Sequence, residues 1–232
     1  MKRTWFLPLL ALTALTACGG DDGDEAPIVL DDGGRYAPDV DPARFVDGID
    51  NPYLPLLPGS RWVYEGDGER IEVVVTDEHK TVMGIEAVVV RDTVTKDGVL
   101  FEDTYDWYAQ DVDGNVWYLG EATEEHEDGE ISTKGSWEAG VDGALPGIAM
   151  PADPAVGDTY RQEFFEGEAE DVAEVLAVGD ELVIEEWNPF EPDVLEEKTY
   201  RRGVGLVLEV KTSGGQGRIE LTEHDPGRGG DS

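Results

Sequence analysis

The side chains able to do chemistry in this 232-residue chain are numerous acids, three histidines, a few serines and one cysteine. His79, His126 and His224 lie far apart, and none belongs to a His-x-His or His-Glu-x-x-His pattern, so spacing supplies no zinc site. Ser136 sits in Gly135-Ser136-Trp137-Glu138-Ala139-Gly140, which is not the Gly-x-Ser-x-Gly elbow that lifts a nucleophile above a sheet. Asp111-Val112-Asp113-Gly114-Asn115 sets carboxylates two apart before a glycine, as a calcium loop begins. The later glutamate is missing at the required spacing, and the same residues make a good hairpin turn. Asp111, Asp113 and Asn115 therefore stand as weak metal candidates only. Glu124, Glu125, Glu127 and Asp128 surround His126 and suit either a divalent cation or a solvated hairpin tip. No catalytic residue is assigned, no cofactor is expected, and a non-enzymatic role is favoured.

The cysteine has the most informative surroundings. Lys2 and Arg3 precede the apolar stretch Trp5–Leu12, and Leu15-Thr16-Ala17 leads into Cys18, the anatomy of a secretory signal. That stretch is too short for a membrane-spanning helix of roughly 20 residues. Leu15-Thr16-Ala17-Cys18 resembles the bacterial lipobox, in which cleavage leaves the cysteine first and its thiol carries diacylglycerol. A lone thiol cannot form an internal disulfide, whereas acyl chains on it hold a domain to a bilayer, each buried methylene contributing about 0.8 kcal/mol. The expected address is the bacterial cell envelope, lipid-anchored through Cys18 on the extracytoplasmic side. Gly19 is not the aspartate of the enteric inner-membrane pattern, which points to the outer membrane in a diderm host and otherwise to the outer face of the cell membrane.

Charge narrows the partners. The chain carries −36, and losing residues 1–17 removes Lys2 and Arg3 and no acid, leaving −38. Such a surface repels nucleic acid, which rewards positive patches. Nucleic-acid binding is excluded. Acid could mean cation binding, but its spread over the whole length favours a solubility role.

The elements that must position these residues read as strands. After the signal (1–17), residues 18–45 are acidic and glycine-rich and read as a flexible tether, and 224–232 as a disordered tail. One β domain is expected over 46–223. Turn glycines fall at Gly68, Gly84, Gly98, Gly114 and Gly129, most preceded by aspartate, the residue pair favoured in two-residue hairpins. Between them side chains alternate with period two: Ile71, Val73 and Val75 oppose Arg70, Glu72 and Thr76, and Val99, Phe101, Tyr105, Trp107 and Ala109 oppose Glu102, Thr104, Asp106 and Gln110. The expectation is a mainly β single domain: long antiparallel strands in a meander, each about a dozen residues or roughly 40 Å, forming a curved half-barrel or closed barrel. Residues 140–157, rich in glycine and proline, are expected to be a long loop. Ala169–Val178 fits a helix face through Val172, Val175 and Leu176, or a strand before a Gly179-Asp180 hairpin.

Trp62, Tyr64, Tyr105, Trp107 and Trp117 project from these strands and are expected on the inner face, either filling the interior or lining an apolar cavity. The run Asn51-Pro52-Tyr53-Leu54-Pro55-Leu56-Leu57-Pro58-Gly59-Ser60-Arg61-Trp62-Val63-Tyr64 resembles the opening of a family of uncharacterised exported bacterial lipoproteins, and Asp106–Asp111 and Gly135–Gly140 resemble further motifs of the same family. No activity comes with the resemblance. The leading expectation is a membrane-anchored lipoprotein whose β domain binds an apolar small molecule or an envelope protein. The alternatives are a hydrolase using paired carboxylates and a purely structural envelope protein.

Overall fold

The computed structural model describes residues 36–127 and 129–227. The signal segment, Cys18, the first part of the tether, Asp128 and the end of the tail lie outside the described residues. A short 3-10 turn, Pro42–Arg44, precedes β1 (Phe45–Val46), β2 (Arg61–Gly66), β3 (Glu69–Val82), β4 (Ile85–Lys96), β5 (Val99–Asp111) and β6 (Val116–Glu127). Four short strands follow: β7 (Glu130–Ser132), β8 (Trp137–Glu138), β9 (Gly147–Met150) and β10 (Thr159–Arg161). The chain ends with β11 (Val172–Ala177), β12 (Glu181–Trp187), β13 (Leu195–Arg201), β14 (Gly205–Ser213) and β15 (Gly217–Asp225).

The meander follows from the turns. Asp67-Gly68, Met83-Gly84 and Asp97-Gly98 all have positive φ at both residues, the geometry whose twist matches paired strands. β3, β4, β5 and β6 accordingly run 14, 12, 13 and 12 residues. All strands join one antiparallel sheet, ordered β10-β11-β12-β13-β14-β15-β2-β3-β4-β5-β6-β7, with β1 on β5 and β8 and β9 on β6. β15 pairs with β2, so the C-terminal half extends the sheet from the side opposite to β3. The ambiguous segment is a strand, β11, turning at Gly179-Asp180 into β12.

The sheet is curved and does not close. One apolar cluster joins Trp62, Tyr64, Val88 and Val90 to Tyr160, Val175 and Ile184 from the far end of the strand order, which only a strongly bent sheet permits. The two ends meet at a seam, stitched by the isolated bridge Leu145–Phe164 (N–H to O, 2.8 Å) with no ladder. Gly147 makes the seam possible, since a Cβ there would stand 2.0 Å from the Gln162 carbonyl oxygen. Gly147→Ala is expected to lower stability by about 3 kcal/mol through overpacking, read as a lower urea midpoint at unchanged slope.

Several sequence boundaries move. Part of the expected tether docks: the Tyr36 hydroxyl donates to the Pro146 carbonyl at 2.7 Å, its ring sits 5.3 Å from Phe164, and Phe45 packs edge-on against Trp117 at 6.3 Å. Two aromatics in an acidic stretch are enough to anchor it. The last strand continues to Asp225, past the expected end at 223, because His224 stacks on Trp62 at 5.4 Å. The 140–157 loop contains β9, whose Ile148 and Met150 are buried and which pairs with Val116–Tyr118.

Candidate functional site

Which face is inside differs from the sequence expectation. On β4, Asp92 follows Val88 and Val90 on one face, and both valines belong to the interior cluster. Register places Thr104 beside Asp92 and Asp106 beside Val90, so the inward row of β5 is Glu102, Thr104, Asp106, Tyr108 and Gln110. Tyr105 and Trp107, expected to line a cavity, face the other way. There Trp107 joins Val89, Leu119, Trp137 and Ala144 in a second cluster beneath the 137–145 segment, with Lys80 Nζ 3.4 Å above its ring. Alternation marked the two rows correctly, but both faces of these strands are buried, so hydrophobicity alone did not say which row faces inward. Trp62 and Tyr64 do lie in the interior cluster, and Trp117 packs against both clusters.

The inner space is polar. A cavity of about 370 Å³ is lined by Tyr108, Tyr118, Glu121, Glu163, Asp171 and Glu186, with Lys198, Tyr200, Gln162, Leu54 and Ala149 completing the wall. It sits at the lower end of the roughly 300–1,000 Å³ range of ligand pockets. A second hollow of about 280 Å³ shares Asp171, Glu186 and Lys198 and reaches Asn188, Glu191 and Val194 in the β12–β13 loop, giving the cavity a mouth.

On the β4–β6 wall, the Tyr118 hydroxyl lies between two carboxyls, 2.6 Å from Asp106 Oδ1 and 2.8 Å from Glu121 Oε2. Its ring stacks on Tyr108 at 4.8 Å. Burial, together with the neighbouring acids, pushes Asp92 and Glu121 up to about 7 and Asp106 well above the usual carboxyl range. On the opposite wall, burial and the adjacent Asp171 push Glu163 up to about 9. Trp137 Nε1 donates to Glu163 Oε2 at 3.0 Å, and Asp171 is likewise raised, chiefly by burial. Burial alone pulls Lys198 toward the neutral amine, but Glu186 at 2.5 Å and Glu209 at 3.7 Å outweigh it and keep the ammonium charged. Burial holds the Tyr108, Tyr118 and Tyr200 hydroxyls neutral. The arrangement offers O–H donors, carboxyl acceptors and one compensated cation.

The weak metal candidates are spent on local structure. Asp111 Oδ1 accepts from the Asp113 and Asn115 backbone N–H groups, and Oδ2 from Asn115 Nδ2 and Trp117 Nε1. Asp113 pairs with Arg44. Glu124 and His126 sit 3.9 Å apart near the β6–β7 turn. Among the described residues no group of three or more acids, histidines or cysteines is placed to hold a metal ion. Ser136 is clasped by the Thr123 backbone, accepting from its N–H and donating to its carbonyl.

Residues around Asn51 tie the segment before β2 to the sheet. Asn51 Oδ1 accepts from the Tyr53 and Leu54 N–H groups while its Nδ2 donates to the Gly114 and Pro151 carbonyls. Gln110 holds the Asp50 and Asn51 backbone through Oε1, and Tyr53 is a buried core residue whose hydroxyl donates to Gly179. Sequence reasoning missed Glu163, Asp171, Glu186, Lys198 and Glu209. Asp92, a carboxyl in the same-face row after Val88 and Val90, is the one signal that could have exposed the polar interior. No family model, curated protein or solved structure matches the chain.

Proposed function

We propose that this chain is a lipid-anchored binding protein of the bacterial envelope, holding a small polar ligand inside its curved β domain. The observation that carries the reading is the cavity of about 370 Å³, on which polar groups from β5, β6, β12 and β13 converge. Convergent polar groups from separate elements around a concave space are what a small-molecule site requires. The lining is too polar for the apolar ligand expected from aromatic patterning. The anchor rests on Leu15-Thr16-Ala17-Cys18 and on the likeness of Asn51–Tyr64 to exported lipoproteins. An outer-membrane position follows from Gly19 in a diderm host.

A specific observation favours a second reading, hydrolysis by a carboxyl pair. Glu163 and Asp171 both line the cavity, and burial with the charge of Asp171 pushes Glu163 up to about 9, so two carboxyls with differing proton affinities stand in one wall. Purification of the mature chain from its own host, followed by native mass spectrometry, separates the readings. A co-purified small molecule lost on unfolding supports binding. A bare protein that turns over a substrate and loses that turnover in Glu163→Gln supports hydrolysis. In cells, Cys18→Ala is expected to move the folded protein out of the membrane fraction, and retention there counts against the anchor.

A further inference from the structure

We propose that residues 36–45 form a strap that gates the lumen, with Tyr36 as the clasp that holds the seam shut. The gate rests on the binding reading above for what it admits, while the strap and the seam stand on their own contacts.

The seam is a wall of the cavity. Ala149 lines that space from β9, and Gln162 and Glu163 line it from the segment that follows β10. An isolated bridge joins the two margins, with the Leu145 N–H donating to the Phe164 carbonyl at 2.8 Å. Trp137 Nε1, on the β6 side, reaches across to Glu163 at 3.0 Å. Elsewhere the long strands are held by ladders, as where β4 and β5 pair from Val88–Tyr108 to Lys96–Val99. Local opening begins where backbone pairing is sparse, so this sheet parts first at the seam.

Tyr36 touches both margins at once. Its hydroxyl donates at 2.7 Å to the carbonyl of Pro146, immediately before β9, and its ring lies 5.3 Å from Phe164 on the facing margin. The Arg161 guanidinium stands 4.8 Å from the Phe164 ring and 5.9 Å from the Tyr36 ring, and it pairs with Glu170 at 3.4 Å. A side chain bonded to one edge and packed on the other loses one set of contacts when the edges separate. Release of Tyr36 and opening of the wall are thereby coupled.

The rest of the strap suits a swinging arm. Tyr36, Pro38 and Val40 are half-buried while Ala37, Asp39 and Asp41 are exposed, so the ribbon lies flat on the domain. Its other end is fixed: Phe45 and Val46 pair with Asp111 and Gln110, and the Arg44 carbonyl accepts from the Val112 N–H at 2.7 Å. Between the two ends lies the 3-10 turn Pro42–Arg44, capped by Asp41 and containing no buried residue. A turn at an element's end that holds no core side chain can absorb a backbone rotation, as hinges do. The sequence before Tyr36 leads to Cys18, which puts the clasp where domain and expected anchor meet.

Hydrogen exchange followed by NMR on the full chain carrying Cys18→Ala tests the gate without any ligand. The Leu145 amide and the Trp137 indole N–H both cross the seam. They are expected to exchange in concert through one local opening, at rates that barely rise in dilute urea. The Trp62 indole N–H, which donates to the Val204 carbonyl at 2.6 Å, should instead follow the urea-dependent global route. Tyr36→Phe removes only the hydroxyl and should speed both seam protons about fivefold, the worth of one hydrogen bond. Tyr36→Ala also removes the ring packing and should speed them about thirtyfold, still with little dependence on urea. Seam protons that exchange only along with the Trp62 indole overturn the gate and leave the lumen reading standing. Seam exchange unchanged in Tyr36→Ala does the same. Should that variant not fold, unchanged seam exchange in Tyr36→Phe overturns the clasp in its place.

Discussion

Raising the pH from 5 to 9 is expected to destabilise this protein steeply, and Asp92→Asn to remove a distinct part of that loss. Asp92 is held up to about 7 from 3.8, and Glu121 up to about 7 from 4.5, in both cases chiefly by burial. A carboxyl whose folded pKa exceeds its unfolded one binds its proton more tightly in the folded state. Its contribution is therefore fully present below the unfolded value and disappears as pH climbs through the folded one. For Asp92 alone the change from 3.8 to about 7 corresponds to about 4 kcal/mol. Glu163, pushed up to about 9, extends the decline further into alkali. The acids feel one another, so their protons leave in overlapping steps and the fall is gradual. On the acid side Glu72 works in the opposite sense: hydrogen bonds from Arg61 and Arg70 lower it from 4.5 to about 2, and that support is lost as pH drops through this range. Stability should peak at about pH 4 or a little below, where the raised acids are still protonated in both states and Glu72 is still ionised in the folded one.

Denaturant midpoints collected every half pH unit check this. Asp92→Asn should be more stable than the parent by roughly 2 kcal/mol or more at pH 9, with little difference at pH 4. Glu65→Gln, on an exposed position of β2, removes the same formal charge and should shift the curve by no more than about 0.5 kcal/mol. That contrast separates a buried carboxyl from general repulsion among surface acids. A profile flat between pH 5 and 9 would mean that the interior carboxyls are hydrated and ionised, and the polar lumen would lose its distinctive chemistry.

Much of the architecture was legible because it depends on local rules. Asp67-Gly68 and Asp97-Gly98 enforce reversals that few other residue pairs accept, and long alternating runs between them leave antiparallel pairing as the simple outcome. The inward face was not legible. Trp107 and Asp106 are neighbours on β5, both are buried, and their side chains point in opposite directions. A binary pattern assumes one wet face and one dry face, and here the 137–145 segment dries the outer one. The far wall was harder still. Glu196, Glu197 and Lys198 in β13 look like a solvated hairpin strand until the sheet bends and carries Lys198 toward Glu186. Curvature depends on contacts between distant strands, such as the seam at Gly147, and no short window of residues contains that information.

Lys198→Met should be the most damaging substitution in the lumen, and its damage should depend on pH. The ammonium lies 2.5 Å from Glu186 and 3.7 Å from Glu209, and its side chain is 23% exposed. Methionine preserves the length and apolar stem but leaves two carboxyls facing a space with no counter-charge. Removing one partner of a buried pair typically costs 3–5 kcal/mol, and the residual exposure places this site near the lower end, about 3 kcal/mol at pH 8. At pH 5 part of that loss should return, because an uncompensated buried carboxyl can be neutralised by protonation. A purely packing defect would be equally severe at both pH values, so two melting curves distinguish the causes.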